Sequence, residues 1–184
     1  DGTLGTLAVP NSTGGVNWPG GAFDPETGMF YAYTKTELGS LGLINDSERS
    51  DMDFIRGRPE GVTTRETSTN IRGLPIIKPP WGRITAVDLT RGEIAWQVPH
   101  GEAPDNIRNH RLLEGVELPR TGWPGRIGVV VTKTLVIAGD PALHTTESGE
   151  VGAMLRAYDK ATGEEVGSVY MGAPQSGSPM TYMV

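Results

Sequence analysis

The sequence predicts an all-β chain of repeated antiparallel four-stranded units, and three observations carry that expectation. The stretch Ala86-Val87-Asp88-Leu89-Thr90-Arg91-Gly92-Glu93-Ile94-Ala95-Trp96 returns 71 residues later as Ala157-Tyr158-Asp159-Lys160-Ala161-Thr162-Gly163-Glu164-Glu165-Val166-Gly167. Ala, Asp, Gly and Glu recur at identical offsets, and a self-match at fixed spacing is the mark of a repeat rather than of two coincident hairpins. Each copy reads as a hairpin, because Asp folds back on its own backbone in a turn and Gly accepts the positive φ that closes it. The 26 glycines and 14 prolines in 184 residues supply the punctuation that many short strands require.

Bulk properties narrow the function classes. An apolar fraction of 36% is that of a globular chain. The net charge of −6 and the lack of any run of Lys and Arg argue against a nucleic-acid surface. No apolar run is long enough for a membrane-spanning helix. The absence of cysteine removes disulfides, thiolate metal sites and covalently attached haem.

In chain order, residues 4–9 read as a strand and Pro10 to Gly15 as a loop. Ala22-Phe23-Asp24-Pro25-Glu26-Thr27-Gly28-Met29-Phe30-Tyr31-Ala32-Tyr33 is a hairpin of a second kind, and it reads as the inner half of a unit whose outer half is 82–98. Between them, 37–78 is polar and of mixed charge with no sustained period, which predicts a solvated surface excursion. Further strands are expected near 127–132, 134–138, 153–159 and 164–170, with little helix anywhere. Ser178 to Val184 reads as an apolar strand that simply stops, so the chain is expected to be a piece of a longer one. On that reading 1–16 ends a preceding unit, 17–101 is one unit with its insertion at 37–78, 102–175 is the next, and 176–184 opens another.

Ala-x-Asp-x-x-Thr-Gly-x-x-x-Trp resembles the tryptophan-docking motif of the quinoprotein dehydrogenases, the PQQ-dependent alcohol and glucose dehydrogenases built as eight-bladed β-propellers. The first copy has Arg91 in place of Thr, and the second has Gly167 where Trp is expected, so one docking contact should be missing. Gly14 to Gly20 with Phe23 to Gly28 looks like the family's Asn-Trp segment. Leu74 to Ala86 is similar to a lead-in of the glucose-dehydrogenase branch, and Ser178-Pro179-Met180-Thr181-Tyr182 to a strand near the family's carboxyl end.

The resemblance implies a β-propeller fragment of about two four-stranded blades plus flanking strands, from the C-terminal part of the propeller. It also implies oxidation of an alcohol or an aldose, with electrons passed to PQQ and on to a respiratory acceptor, a quinone or cytochrome c. The compartment implied is the periplasm, with an inner-membrane anchor outside this segment as one arrangement. The alternative is a non-catalytic propeller scaffold, such as an outer-membrane assembly factor, that shares the docking repeat. The Asn17-Trp18 segment and the Pro-Met-Thr-Tyr strand favour the enzyme, since a scaffold needs neither.

Three residues are expected at the cofactor. Asn17 stands where the family's Asn hydrogen-bonds the quinone, and its amide offers both a donor and an acceptor to adjacent carbonyls and carboxylates. Trp18 accompanies it as a cofactor-side residue, although packing is the role expected of it first. Trp123, in Thr121-Gly122-Trp123-Pro124-Gly125, stands where the alcohol-dehydrogenase branch carries a Trp that contacts the quinone, although Arg126 replaces a small residue there. No catalytic or metal-binding residue is expected in this segment: the resemblance puts the general base and the Ca²⁺ or Mg²⁺ ligands outside it, and the segment alone should be inactive. His100, His110 and His144 match no ligand spacing and read as exposed loop residues, and Glu102 and Asp105 as loop carboxylates without partners.

Overall fold

The fold is that of a computed structural model, which describes residues 5–58, 69–146 and 148–183. In chain order the strands are β1 (Thr6–Ala8), β2 (Gly21–Asp24), β3 (Met29–Lys35), β4 (Gly39–Ile44), β5 (Ile55–Gly57), β6 (Asn70–Ile71), β7 (Leu74–Pro75), β8 (Gly82–Asp88), β9 (Glu93–Pro99), β10 (Val130–Val131), β11 (Leu135–Gly139), β12 (His144–Thr145), β13 (Val151–Asp159) and β14 (Glu165–Met171). Helix among the described residues is confined to α1 (Asp105–Arg108) and a 3₁₀ turn at Arg111–Leu113. The chain divides into two compact units, 1–15 with 36–78, and 16–35 with 79–184.

The larger unit holds two antiparallel sheets of the same design, β2-β3-β8-β9 and β10-β11-β13-β14, with β12 added beside the start of β13. The hairpin at 21–35 is therefore the inner half of a sheet whose outer half is 82–99, as expected from the sequence. The 71-residue repeat is structural as well. Ala86 faces Trp96 and the ladder slips by one residue immediately after it, whereas Ala157 faces Gly167 and is followed by the same slip. One extra residue in a ladder bends the strand, so both sheets turn at the same place.

Three turns owe their shape to one chemistry. The carboxylate of Asp88 accepts from the Thr90 and Arg91 amides and the Thr90 hydroxyl, and that of Asp159 from the Ala161 and Thr162 amides. Asp24 likewise takes the Glu26 amide and the Thr27 hydroxyl. In each case the Gly four residues on donates to the Asp carbonyl with φ of 70° to 77°, a region that other residues enter only with strain.

The core lies between the two sheets. Tyr31, Tyr33, Ile84 and Ala86 of the first meet Val136, Ala138 and Tyr158 of the second, with Ile127 and Val129 from the connection. At the outer margin Trp96 spans the gap. Its Nε1–H donates to the Lys160 carbonyl at 3.2 Å, and its ring covers Gly163 so closely that a Cβ there would sit 2.6 Å from Cε3. The Tyr31 hydroxyl donates to the same carbonyl at 3.2 Å, and Lys160 Nζ bonds Asp24 Oδ2 at 2.7 Å. The first copy of the motif thus docks on the turn of the second. Trp96 is half-buried rather than fully buried, and Gly167 lies open with nothing near the position of a Cβ.

The smaller unit departs from expectation. The excursion contains β4 and β5, which with β1 form a three-stranded antiparallel sheet, and a β6-β7 hairpin reverses through Arg72 and Gly73 at φ of 53° and 88°. The strand expected at 4–9 is Thr6–Ala8, with Leu4 outside the described residues, and it pairs with β4. Elsewhere 127–132 shortens to Val130–Val131, because Gly128 leaves the ladder to bond Gly177. No strand forms over the described part of 178–184: Met180, Tyr182 and Met183 are exposed, and an extended segment without a ladder partner is not a strand.

Candidate functional site

Register fixes which loops share an end of the larger unit. Lys35 faces Gly82 and Arg83 faces Pro99, so β2 and β8 begin where β3 and β9 end. Gly139 faces Leu155 and Ala153 faces Met171, which gives the second sheet the same polarity. The Asp-Gly turns lie at the opposite end, joined by the Lys160–Asp24 bond. Asn17-Trp18 enters β2, and the Trp123 segment abuts Gly82, so all three residues expected at the cofactor stand at one end.

Asn17 is held in a tight turn. Its Oδ1 accepts the Trp18 amide at 2.8 Å and its carbonyl accepts Gly20 N–H at 2.8 Å, with Gly20 at φ 65°. Trp18 is 99% exposed, so it does not pack within the chain and presents its whole indole outward. Ser178 Oγ reaches the carbonyl of Pro19 at 3.0 Å, which brings the Ser-Pro-Met-Thr-Tyr stretch to the same loop.

Trp123 sits on a platform of close backbone contacts. Trp81 N–H donates to the Thr121 carbonyl at 2.8 Å, and a Cβ on Gly122 would fall 1.8 Å from the Gly82 carbonyl oxygen. Only glycine permits such an approach. Trp123 N–H donates to the His100 carbonyl at 3.0 Å, and the Tyr33 hydroxyl donates to the Trp123 carbonyl. The half-buried indole lies 6.3 Å from the His144 ring at a 44° tilt.

Beneath this end runs a buried polar network that sequence reasoning missed. His100 and His144 are buried, not exposed, and Asp140 and Arg156 are buried with them. His100 Nε2 lies 3.0 Å from the Gly139 carbonyl and Nδ1 2.8 Å from the Tyr158 hydroxyl. A carbonyl only accepts, so the proton is on Nε2 and Tyr158 donates to Nδ1. Burial pushes the His100 pKa down, against the opposing pull of Asp140, and burial raises that of Tyr158. Arg156 Nε and Nη2 hold both oxygens of Asp140 at 2.8 and 3.2 Å. Burial disfavours the Arg156 charge, but Asp140 and Glu165 more than reverse this and raise its pKa.

The carboxylates expected to be alone have partners. Glu102 pairs with Arg120 at 3.0 Å and Arg156 at 3.3 Å, and Glu165 pairs with the same two arginines. The four close a ring under a cleft of about 480 Å³ that Thr146, Ser168 and Tyr170 also line. Asp105 Oδ2 accepts the amide and hydroxyl of Thr145, each at 3.0 Å. One signal in the sequence pointed here: Arg156 alternates with Tyr158 on the inward face of an otherwise apolar strand, and a charge in that place demands a buried partner. Among the described residues no group of three or more His, Asp or Glu side chains is placed to hold a metal ion.

The family model described as PQQ, glucose/ethanol/alcohol dehydrogenase β-propeller domain, matches residues 2–184. The chain belongs to that family. Curated relatives of this PQQ propeller domain include the quinate/shikimate dehydrogenase (quinone) of Acinetobacter baylyi, 27% identical with 99% of this chain and 23% of the relative aligned. The quinohemoprotein alcohol dehydrogenase of Comamonas testosteroni is also 27% identical, over 100% of this chain and 22% of the relative. The chain therefore spans about a quarter of the length of the curated relatives it matches. The crystal structure of the Comamonas testosteroni enzyme superposes with a TM-score of 0.57 at 20% identity, covering 99% of this chain and 23% of that one, which supports the propeller fold. The two repeated sheets are blades of that propeller.

Proposed function

We propose that this chain is part of a PQQ-dependent dehydrogenase that oxidises an alcohol or an aldose, and that Asn17, Trp18 and Trp123 form part of its cofactor wall. The observation that carries this reading is their convergence at one end of both blades. The residues present suit the group: an amide anchored in a turn matches the carbonyls and carboxylates of a small quinone, and a 99%-exposed indole offers a flat apolar cover. When bound, PQQ supplies the two-electron acceptor, while the protein supplies orientation and electrostatics. Asn17 would donate to the quinone rim, Trp18 would shield a face from water, and Trp123 would border the pocket.

The Ca²⁺ or Mg²⁺ of this reading is held by residues outside the segment. Electrons leave for a respiratory quinone or cytochrome c, and the compartment is the periplasm. Two blades provide only part of a central pocket, so the isolated chain should bind PQQ weakly and turn nothing over.

Titrating PQQ with Ca²⁺ into the complete protein, with and without Asn17→Ala, tests the assignment. A hydrogen bond to a charged ligand is worth about 1.5–3 kcal/mol, so the variant should bind at least roughly tenfold more weakly. Unchanged affinity would remove Asn17 from the site.

A further inference from the structure

Trp123 is gripped by its main chain at both ends of the residue, and the two grips come from different places. Its N–H donates to the carbonyl of His100, and its carbonyl accepts the hydroxyl of Tyr33, a β3 residue that is 2% exposed. His100 is itself fixed to the second blade, through Gly139 and Tyr158. The Tyr33 ring meets the His100 ring edge-on at 5.7 Å, so the two residues that grip Trp123 also pack on each other. On the remaining sides, a Cβ on Gly101 would approach Trp123 Cβ to 3.3 Å, and one on Gly82 would overlap the Trp123 carbonyl. A loop that only connected β9 to β10 would need none of this.

We infer that Tyr33 and His100 are positioning residues for Trp123, holding its indole in one orientation at the cofactor end of the blades. The inference rests on the proposed role of Trp123 and goes beyond it, because both residues act through that side chain and touch no ligand. His100 supplies the post: its neutral ring, protonated on Nε2, bonds the second blade, and its main-chain carbonyl accepts the Trp123 amide. Tyr33 supplies the stop, one hydroxyl on one carbonyl.

The test is a double-mutant cycle on PQQ affinity in the complete protein, measured by equilibrium dialysis with Ca²⁺ present and accompanied by thermal unfolding of every variant. Tyr33→Phe removes a single hydroxyl and should weaken binding about three- to tenfold, the net worth of one hydrogen bond. Trp123→Phe should weaken binding by itself. In the double variant the Tyr33 effect should vanish, because there is no indole left to position. His100→Leu, which removes the ring bonds to both Gly139 and Tyr158, is read in the same cycle and serves if Tyr33→Phe does not fold. A loss from Tyr33→Phe that persists undiminished beside Phe at 123 overturns the positioning role in favour of a general structural one, and no loss at all overturns it outright. If Trp123→Phe binds PQQ normally, the placement of Trp123 at the cofactor fails and the inference falls with it. If Trp123→Phe weakens binding and Tyr33→Phe does not, only the inference fails.

Discussion

The contact between Trp96 and Gly163 joins the two blades, and substitution on either side has a calculable consequence. Gly163→Ala forces a residue with a side chain to φ 77°, which costs about 1–2 kcal/mol, and drives its methyl to 2.6 Å from Trp96 Cε3 and 3.0 Å from Val98 Cγ1. Overpacking of that kind adds about 1–3 kcal/mol, for a total of roughly 2–5 kcal/mol. Trp96→Ala removes the plug from the other side. The indole is half-buried, so on the order of 100 Å² returns to water at about 25 cal/mol/Å², and one hydrogen bond to the Lys160 carbonyl is lost. The sum is about 3 kcal/mol, at the low end of the range for a buried Trp. In the Trp96→Ala background the clash with the ring no longer exists, and Gly163→Ala should cost its backbone strain and the lesser crowding against Val98. Urea denaturation followed by far-UV circular dichroism gives all four corners of the cycle, with a coupling of about 1–3 kcal/mol expected. Equal costs of Gly163→Ala in the two backgrounds would show that the ring is not seated on the glycine.

Two other perturbations have defined signs. Lys160 and Thr27 hold the Asp24 carboxyl below its ordinary pKa, so the bond contributes stability that is complete above about pH 4 and is lost as pH falls through the lowered value. Lys160→Met should therefore lower the melting temperature at pH 7 and flatten, in part, its fall below pH 4; an unaltered acid limb of the melting curve would count against the bond. Arg156→Met strips Asp140 of the cation that holds both its oxygens inside the protein, and breaking a buried pair from one side costs about 3–5 kcal/mol, readable as a shift in the urea midpoint. A shift below 1 kcal/mol would mean that water reaches Asp140.

The blades were legible because their determinants are local. Asp, Thr and Gly within five residues define each turn, and the alternating aromatics after Gly28 put Tyr31 and Tyr33 on the inward face, whereas the slip between Ile94 and Trp96 leaves Ile94 exposed. The motif announced that Trp96 docks on a neighbouring unit, but not that its seat is Gly163 and the Lys160 carbonyl. Gly39 to Ile44 could not be read as a strand, since two glycines and a serine break its alternation and its partner Thr6–Ala8 lies about thirty residues upstream. The histidines were misread for a related reason. His100 is buried by Gly139 and Tyr158, and nothing near position 100 in the sequence announces either contact. Asn17, Trp18 and Trp123 were singled out through motif resemblance alone, while the hydroxyl and carbonyl that grip Trp123 come from side-chain and backbone meetings that no short pattern encodes.

The ring of Glu102, Arg120, Glu165 and Arg156 constrains how this sequence can drift. Each charge in it serves two neighbours of opposite sign, so replacing any one leaves two others each with one ring partner fewer, and one member, Arg156, is also the counter-ion of Asp140. Divergence at these positions is therefore expected to proceed by paired exchange, an acid and a base lost together to apolar groups of similar size, rather than by single steps. The connection that carries Glu102 and Arg120 also carries Trp123. A lineage that abandons the ring would hold that connection against the second blade by the His100 bonds to Gly139 and Tyr158, without the charges.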